Sequence, residues 1–260
     1  MNHYVSRETK EARLPSLTKN EIWLQTIVQK NNYTITDIEL SRLTDYCLLL
    51  EQWNKKINLI SRRDEENIWL NHILVSLVFL FKIQIPDGSN VLDLGTGGGL
   101  PGIPLSIMRH DINFVLLDSI RKKTVAVQEM VSALGLPNVK IVCSRAEDLG
   151  HQKTYRHSFD AVIARAVSSL ENIVLWGAPL LKKGNATHGI TITAPHKVVL
   201  AHPVVITMKG GDIADEAERV QRRFPHIKLH QCDTTFSGSE VLQNSERKII
   251  LIETNEGQKD

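Results

Sequence analysis

The chain has 260 residues, 42% of them hydrophobic, and its charges nearly cancel at a formal +2. This composition excludes a disordered or fibrous chain and a strongly acidic or basic tail, so any nucleic-acid contact must come from local patches. Cys47, Cys143 and Cys232 lie far apart without C-x-x-C spacing, which excludes a disulfide framework or zinc site and predicts buried thiols in a reducing cytoplasm.

Residues 1–17 are polar and aperiodic and read as a frayed leader; they lack an apolar signal core. A short helix is expected from Asn20 to Gln29. From Thr36 the chain opens with a capping box, Thr36 then Glu39, and sets Leu40, Leu43, Cys47 and Leu50 at alternating three- and four-residue steps, the pattern of an amphipathic helix. A further helix follows "SRRDEEN", with Asp64 placed to cap it and Ile68, Trp69, Ile73, Leu74, Leu77 and Phe81 giving it an almost all-round apolar surface. Its apolar run, Ile73 to Phe81, is too short to span a bilayer, so no membrane partner is expected. "PDGSN" at Pro86 to Asn90 is a turn cluster that divides a helical N-terminal region, 1–85, from a second region, 86–260.

Beyond this turn, short β-rich runs ("NVLDL", "NFVLLD", "NVKIVC", "FDAVIA", "VVITMK") alternate with helical stretches. The alternation predicts an α/β fold, a mostly parallel sheet with helices on both faces. "HIKLHQC" and "RKIILIE" are expected as an antiparallel pair closing the sheet edge. The link between Gly184 and Met208 is long, and an inserted hairpin is expected at about 185–203.

The stretch from Asp93 to Gly102, "DLGTGGGLPG", reads as the turn between a strand and a helix, the position of the ligand crevice in an open α/β sheet. Two patterns overlap in it. Gly97, Gly99 and Gly102 fit a dinucleotide fingerprint, whereas Asp93, Gly95, Gly97 and Gly99 fit the acid-plus-glycine loop of S-adenosylmethionine methyltransferases. The register favours the second, because Gly95 and Thr96 come before the dinucleotide glycines. At the end of the next strand Asp118 is spaced to take ribose hydroxyls, or alternatively to cap the helix near Arg121. Ala146, Glu147 and Asp148 follow the third strand, where an acid and backbone groups can meet an adenine edge or a solvated loop can lie. Arg165 ends the fourth strand, placed either to orient a base or clamp a phosphate, or to pair with Asp160 or Asp93. Arg145 has the same two readings. Lys209 can reach a phosphate or sit in solvent.

Trp53 and Trp69 lie among leucines at helical spacing and are expected in the core, with base stacking the alternative. His72, His188, His196 and His202 lack i to i+4 pairing, so no metal is expected. Candidate phosphate contacts are Lys55 with Lys56, Arg62 with Arg63, Arg121 to Lys123, Lys182 with Lys183, and Arg222 with Arg223.

"WNKKINL" from Trp53, "GTGGGLPGIPLSI" from Gly95, "LLDSIRKK" from Leu116, "SRAED" from Ser144, "ARAV" from Ala164 and "MKGG" from Met208 together carry a resemblance. The chain resembles the bacterial 16S ribosomal RNA guanine-N7 methyltransferases, the glucose-inhibited division protein B family, over most of its length. The resemblance implies a Rossmann-like class I fold and methyl transfer from S-adenosyl-L-methionine to a guanine in the decoding region. It places cofactor contacts on Gly95, Gly97, Asp118, Ala146, Glu147 and Arg165. Asp93, Thr96, Gly99 and Leu100 of the same loop, with Arg145, complete the expected cofactor set, and Arg165 and Lys209 are the expected catalytic residues. The implied partner is 16S rRNA within the small subunit or its assembly intermediate, and a monomer is the default. One departure stands out: where the family shows His-Leu-Leu-Asp-Ser, this chain has Val75 in place of the acid, between His72 and Ser76. A nicotinamide-dependent oxidoreductase and a noncatalytic RNA-binding assembly factor are the alternative readings.

Overall fold

A computed structural model of the chain describes residues 17–183, 190–193, 197–201, 203–242 and 246–254. Helix α1, Lys19–Lys30, begins at a capping box formed by Thr18 and Glu21, and α2, Asp37–Asn54, at the expected box of Thr36 and Glu39. A single turn, α3, Arg62–Glu65, follows. Asp64 lies inside this turn and does not cap the long apolar helix; its carboxylate accepts hydrogen bonds from Ser61 Oγ and Asn71 Nδ2. The apolar run itself opens as a π-turn, Trp69–Leu74, and continues as α4, Val75–Lys82, in which every residue is buried. Burial all round is what an all-round apolar helix requires.

Among the described residues ten strands follow: β1 Ile83–Gln84, β2 Asn90–Leu94, β3 Asn113–Asp118, β4 Val139–Cys143, β5 Ala161–Arg165, β6 Thr191–Thr193, β7 Lys197–Val199, β8 Val204–Gly210, β9 Ile227–Asp233 and β10 Arg247–Thr254. The helices among them are α5 Gly102–Met108, α6 Arg121–Leu134, α7 Ala146–Leu149, α8 Leu170–Gly177 and α9 Ala214–Arg223. The main sheet has seven strands in the order β4-β3-β2-β5-β8-β10-β9. Its first five are parallel, and β10 runs antiparallel to both β8 and β9. The expected antiparallel pair is therefore present, with β10 threaded inside β9, which takes the edge.

Side-chain alternation divides the core between the two faces of this sheet. On β5, Ala161 and Ile163 join the cluster beneath α1, α2, α4, α5 and α6, whereas Val162 and Ala164 join the one beneath α8 and α9. The first cluster runs without a break from Leu24 and Tyr46 to Phe114 and Ile249, so the N-terminal helices pack directly on the sheet.

The hairpin expected in the long link is present as β6 and β7, which pair antiparallel, while β7 pairs parallel with β1 to make a separate three-stranded sheet. Leu200 shares a cavity with Ser89 and Asp160, which immediately precede β2 and β5. The described part of the link thus sits where the sheet strands begin, opposite their carboxyl ends. Link residues 184–189, 194–196 and 202, and the leader 1–16, lie outside the described residues. Cys47 and Cys232 are buried as expected, but Cys143 is exposed, because it ends the edge strand β4, whose residues are at most half-buried.

Candidate active site

The order in which the chain adds strands to the sheet reverses between β2 and β5, and the turn after β2 is held by Asp93, the penultimate residue of that strand. Asp93 is fully buried, and its Oδ2 accepts from Thr96 Oγ1 at 2.7 Å and from the Gly102 N–H at 2.8 Å, closing the loop across its mouth. Its Oδ1 is buried without a hydrogen-bond partner. Burial outweighs these bonds and pushes the Asp93 carboxyl up to about 7. The loop is tied to the neighbouring strand where Gly95 and Thr96 both donate N–H to Leu117 O at 2.9 Å. From the other face, Tyr46 on α2 donates its buried hydroxyl to Gly98 O at 2.9 Å.

The glycines divide by what lies beside them. A Cβ at Gly98 would meet Leu50 Cδ1 at 3.0 Å, and one at Gly102 would meet Leu116 Cδ2 at 2.2 Å, so these two are small to admit protein. Gly97, at φ +58°, would meet nothing within 4 Å and donates its N–H to Asp118 Oδ2 at 3.0 Å. Gly95, at φ +74°, would strike Val167 Cγ1 at 2.7 Å. These two face a crevice of about 280 Å³ at the carboxyl ends of β2, β3, β4 and β5. Gly99 turns instead toward Ile103 and Tyr46. The second glycine of a dinucleotide fingerprint must face the ligand, and Gly99 does not.

Of the sequence candidates, Gly95, Gly97, Asp118, Arg145, Ala146 and Glu147 line this crevice together. Asp118 is 8% exposed and braces two turns, since Oδ2 holds Gly97 and Oδ1 accepts the Ile120 N–H at 2.8 Å. It therefore stiffens the approach to α6 and still presents carboxylate lone pairs to the crevice. Asp93, Thr96, Gly99 and Leu100 are buried behind the loop and do not line it. Side-chain alternation along β2 explains Asp93: Leu92 and Leu94 belong to the α8–α9 face, and the residue between them points the other way.

Lys209 is also absent from the crevice. Its ammonium pairs with Glu216 at 3.0 Å and donates to Ser168 O at 2.9 Å, which anchors α9 to the loop before α8. Arg165, expected at the cofactor, does not line the crevice either, and it takes neither expected partner: Asp160 is held by Lys182 at 2.7 Å, and Asp93 is turned into its loop. The guanidinium lies on the N-terminal side and donates to Ser76 Oγ, to the Asn71 and His72 carbonyls, and to His72 Nδ1. Burial lowers its pKa to about 10. Trp53 and Trp69 pack against the core, half-buried, with Lys56 4.5 Å above the Trp53 ring.

The structure adds lining residues not singled out as site candidates from the sequence, Ser119, Ile120, Ser144, Ala166, Val167 and Trp176, and it also places Lys123, expected only as a phosphate contact, in the lining. Ile120 is 42% exposed, an apolar side chain presented at the rim immediately after an acidic strand end. Ala166 holds φ +55°, a left-handed backbone that costs a non-glycine residue roughly 1–2 kcal/mol, and it lies on the crevice wall.

A family model for the rRNA small subunit methyltransferase G matches residues 39–210, which include the glycine turn and the crevice-lining strand ends. The chain belongs to the rRNA small subunit methyltransferase G family. It is 42% identical over 196 residues to a "Ribosomal RNA small subunit methyltransferase G" of Chlorobium phaeobacteroides, covering 75% of this chain and 78% of that one. It is 40% identical over 217 residues to the Chlorobium luteolum protein of the same name, covering 81% and 82%. Among solved structures, Aeropyrum pernix fibrillarin in complex with natively bound S-adenosyl-L-methionine superimposes with a TM-score of 0.50 at 9% identity, over 71% of this chain and 75% of that one. At that identity the likeness shows the fold alone, the Rossmann-like class I methyltransferase sheet. Membership of the rRNA small subunit methyltransferase G family decides between the two ligand patterns of the glycine turn in favour of the methyltransferase loop. Among the described residues, no helix is long and apolar enough to cross a membrane.

Proposed function

We propose that the chain transfers a methyl group from S-adenosylmethionine to N7 of a guanine in 16S rRNA, presented by the small subunit or its assembly intermediate. The observation that carries this reading is the convergence of Gly95, Gly97, Asp118 and Glu147, from three successive strand ends, on one crevice in a chain of this family. The residues fit an adenosyl group. Two acids stand where hydroxyls and an amine can donate to them, the open side of Gly97 admits a close approach, and Ile120, Val167 and Trp176 supply apolar walls.

S-adenosylmethionine, when bound, supplies an electrophilic methyl on a sulfonium. The protein's task is then alignment and exclusion of water, because guanine N7 has a lone pair and no proton to remove. Among the described residues that line the crevice there is no histidine, cysteine or tyrosine, and the titratable side chains are Asp118, Lys123, Arg145 and Glu147. Guanine N7 asks for no general base, so these side chains are assigned to binding and orientation. Arg165, one residue before the wall formed by Ala166 and Val167, is assigned to orienting the RNA.

RNA would approach past Lys55, Lys56, Arg62 and Arg63, which are exposed on the segment whose Leu59 packs against Gly98, past the exposed Arg121, and past Lys123 in the crevice lining. Lys182, Arg222 and Arg223 are engaged with Asp160, Glu218 and Glu171 and serve the fold. We assign residues up to 85 to RNA docking and 86–260 to cofactor binding and transfer, in a cytoplasmic monomer.

The test is transfer from tritiated S-adenosylmethionine to small subunits lacking the modification, followed by chemical cleavage at N7-methylguanine. Label at a single cleavable guanine, lost in Asp118→Ala, is expected. Binding of S-adenosylhomocysteine without any label in either subunits or precursors would favour a noncatalytic assembly factor.

A further inference from the structure

Arg165 is held in an unusual way for a buried cation. Its Nη1 donates to Ser76 Oγ at 3.2 Å and to His72 O at 3.4 Å, and its Nη2 donates to Asn71 O at 3.2 Å and to His72 Nδ1 at 2.6 Å. All four acceptors are neutral. All four come from the π-turn and the first residues of α4, so the N-terminal helical region supplies the whole seat. Position 75, where the family resemblance leads one to expect an acid, is a valine that is 1% exposed and packed in the core, so it brings no counter-charge.

Because the guanidinium can only donate, His72 Nδ1 must be an unprotonated acceptor, and the ring proton must sit on Nε2. The geometry on the far side of the ring agrees. His72 is 6% exposed, and its Nε2 faces Asp64 Oδ2 at 3.8 Å with no closer partner. Asp64 is itself fixed by Ser61 Oγ at 2.6 Å and Asn71 Nδ2 at 3.0 Å. Carboxylate, imidazole and guanidinium thus stand in line, and the carboxylate favours the tautomer that leaves Nδ1 free for Arg165. Burial, with the Arg165 charge adding to it, pushes the His72 pKa down to about 4; Asp64 opposes the shift and Arg247 adds to it.

We infer that Asp64, His72 and Ser76 are positioning residues, which fix the Arg165 guanidinium beside the crevice so that the N-terminal helices shape the RNA-binding end of the site. The inference rests on the RNA-orienting role assigned to Arg165 above. With its four terminal N–H groups engaged by neutral acceptors, Arg165 makes no direct ion pair among the described residues, and Asp93 and Asp64 act on its charge without touching it. The π-turn carries three of the four acceptors, the Asn71 and His72 carbonyls and His72 Nδ1, and such turns are frequent at functional sites.

The test uses the full chain with His72→Leu, His72→Asn, Ser76→Ala and Arg165→Ala. His72→Leu removes the acceptor, and His72→Asn restores an oxygen near the place of Nδ1. Losing one hydrogen bond to a charged group predicts a ~10- to 100-fold fall in kcat/KM for small subunits in His72→Leu. The S-adenosylhomocysteine dissociation constant should stay unchanged, and His72→Asn should recover most of the loss. Wild-type kinetics in both His72→Leu and Ser76→Ala, alongside an impaired Arg165→Ala, would overturn the inference. A readout independent of activity is the nitrogen-15 NMR signature of the His72 ring. A neutral Nε2–H tautomer that is perturbed by Arg165→Ala supports the seat, whether or not His72→Leu folds, and an imidazolium or Nδ1–H ring at neutral pH refutes it. If Arg165→Ala is fully active while that tautomer is seen, the role proposed for Arg165 has failed, and with it the positioning function, whereas the seat itself stands.

Discussion

Gly95→Ala is the substitution whose consequence can be worked most fully from the geometry. At φ +74° an alanine is left-handed, a strain of ~1–2 kcal/mol. Its Cβ would also lie 2.7 Å from Val167 Cγ1 and 2.8 Å from Cγ2, an overpacking that typically costs ~1–3 kcal/mol. Together these predict a destabilisation of ~2–5 kcal/mol. Val167 lines the crevice, so the shift that relieves the clash takes up space an adenosyl group needs. Affinity for S-adenosylhomocysteine should therefore fall at least ~10-fold, or ~1.4 kcal/mol. Val167→Ala removes both offending methyls and should return the overpacking share while leaving the backbone strain. A double-mutant cycle should then show a favourable coupling of ~1–3 kcal/mol. Urea denaturation and calorimetric titration of the four proteins measure both quantities. Additive effects, or wild-type ligand affinity in Gly95→Ala, would refute the reasoning.

Three further outcomes are expected. The Asp93 carboxyl, lifted from 3.8 to about 7 by burial, holds a proton in the folded chain that the unfolded chain has released across that window. Its contribution to stability is present below the lower value and lost as pH rises through the upper one, by at most ~1.4 kcal/mol per pH unit. Asp93→Asn should remove that slope, and parallel pH dependences for the two proteins would contradict the assignment. Tyr46→Phe leaves the Gly98 carbonyl without its buried donor and should lower stability by ~1–3 kcal/mol, read by thermal denaturation. Lys209→Met strips Glu216 of its cation and should lower stability while leaving S-adenosylhomocysteine affinity at the wild-type value; a weakened titration would return Lys209 to the site.

What the sequence made legible was what short stretches control. The cap at Thr36 needs only Glu39 three residues on, and the strands around the glycine turn appear as apolar runs because both faces of the sheet are covered. The acids after successive strands were readable too, since a strand end in an open α/β sheet has a known place. The partners of the long side chains were not. Arg165 finds His72 across 93 positions of sequence, and the π-turn that receives it has the same apolar pattern as an ordinary helix. Composition likewise shows that a loop is rich in glycine but not what occupies the vacated space. Gly97 opens to the crevice, whereas Gly102 makes room for Leu116. Trp176 escaped notice because α8 carries it in from the far side of β5.

Calorimetric titration of S-adenosylhomocysteine into the wild-type chain, Asp118→Ala and Glu147→Ala bears most directly on the claim that the turn after β2 and the acids after β3 and β4 hold one ligand. One-to-one binding to the wild type is predicted, weakened by at least ~10-fold in each variant, or ~1.4 kcal/mol. Equal affinity in all three proteins, or heat from NAD and none from S-adenosylhomocysteine, would contradict it.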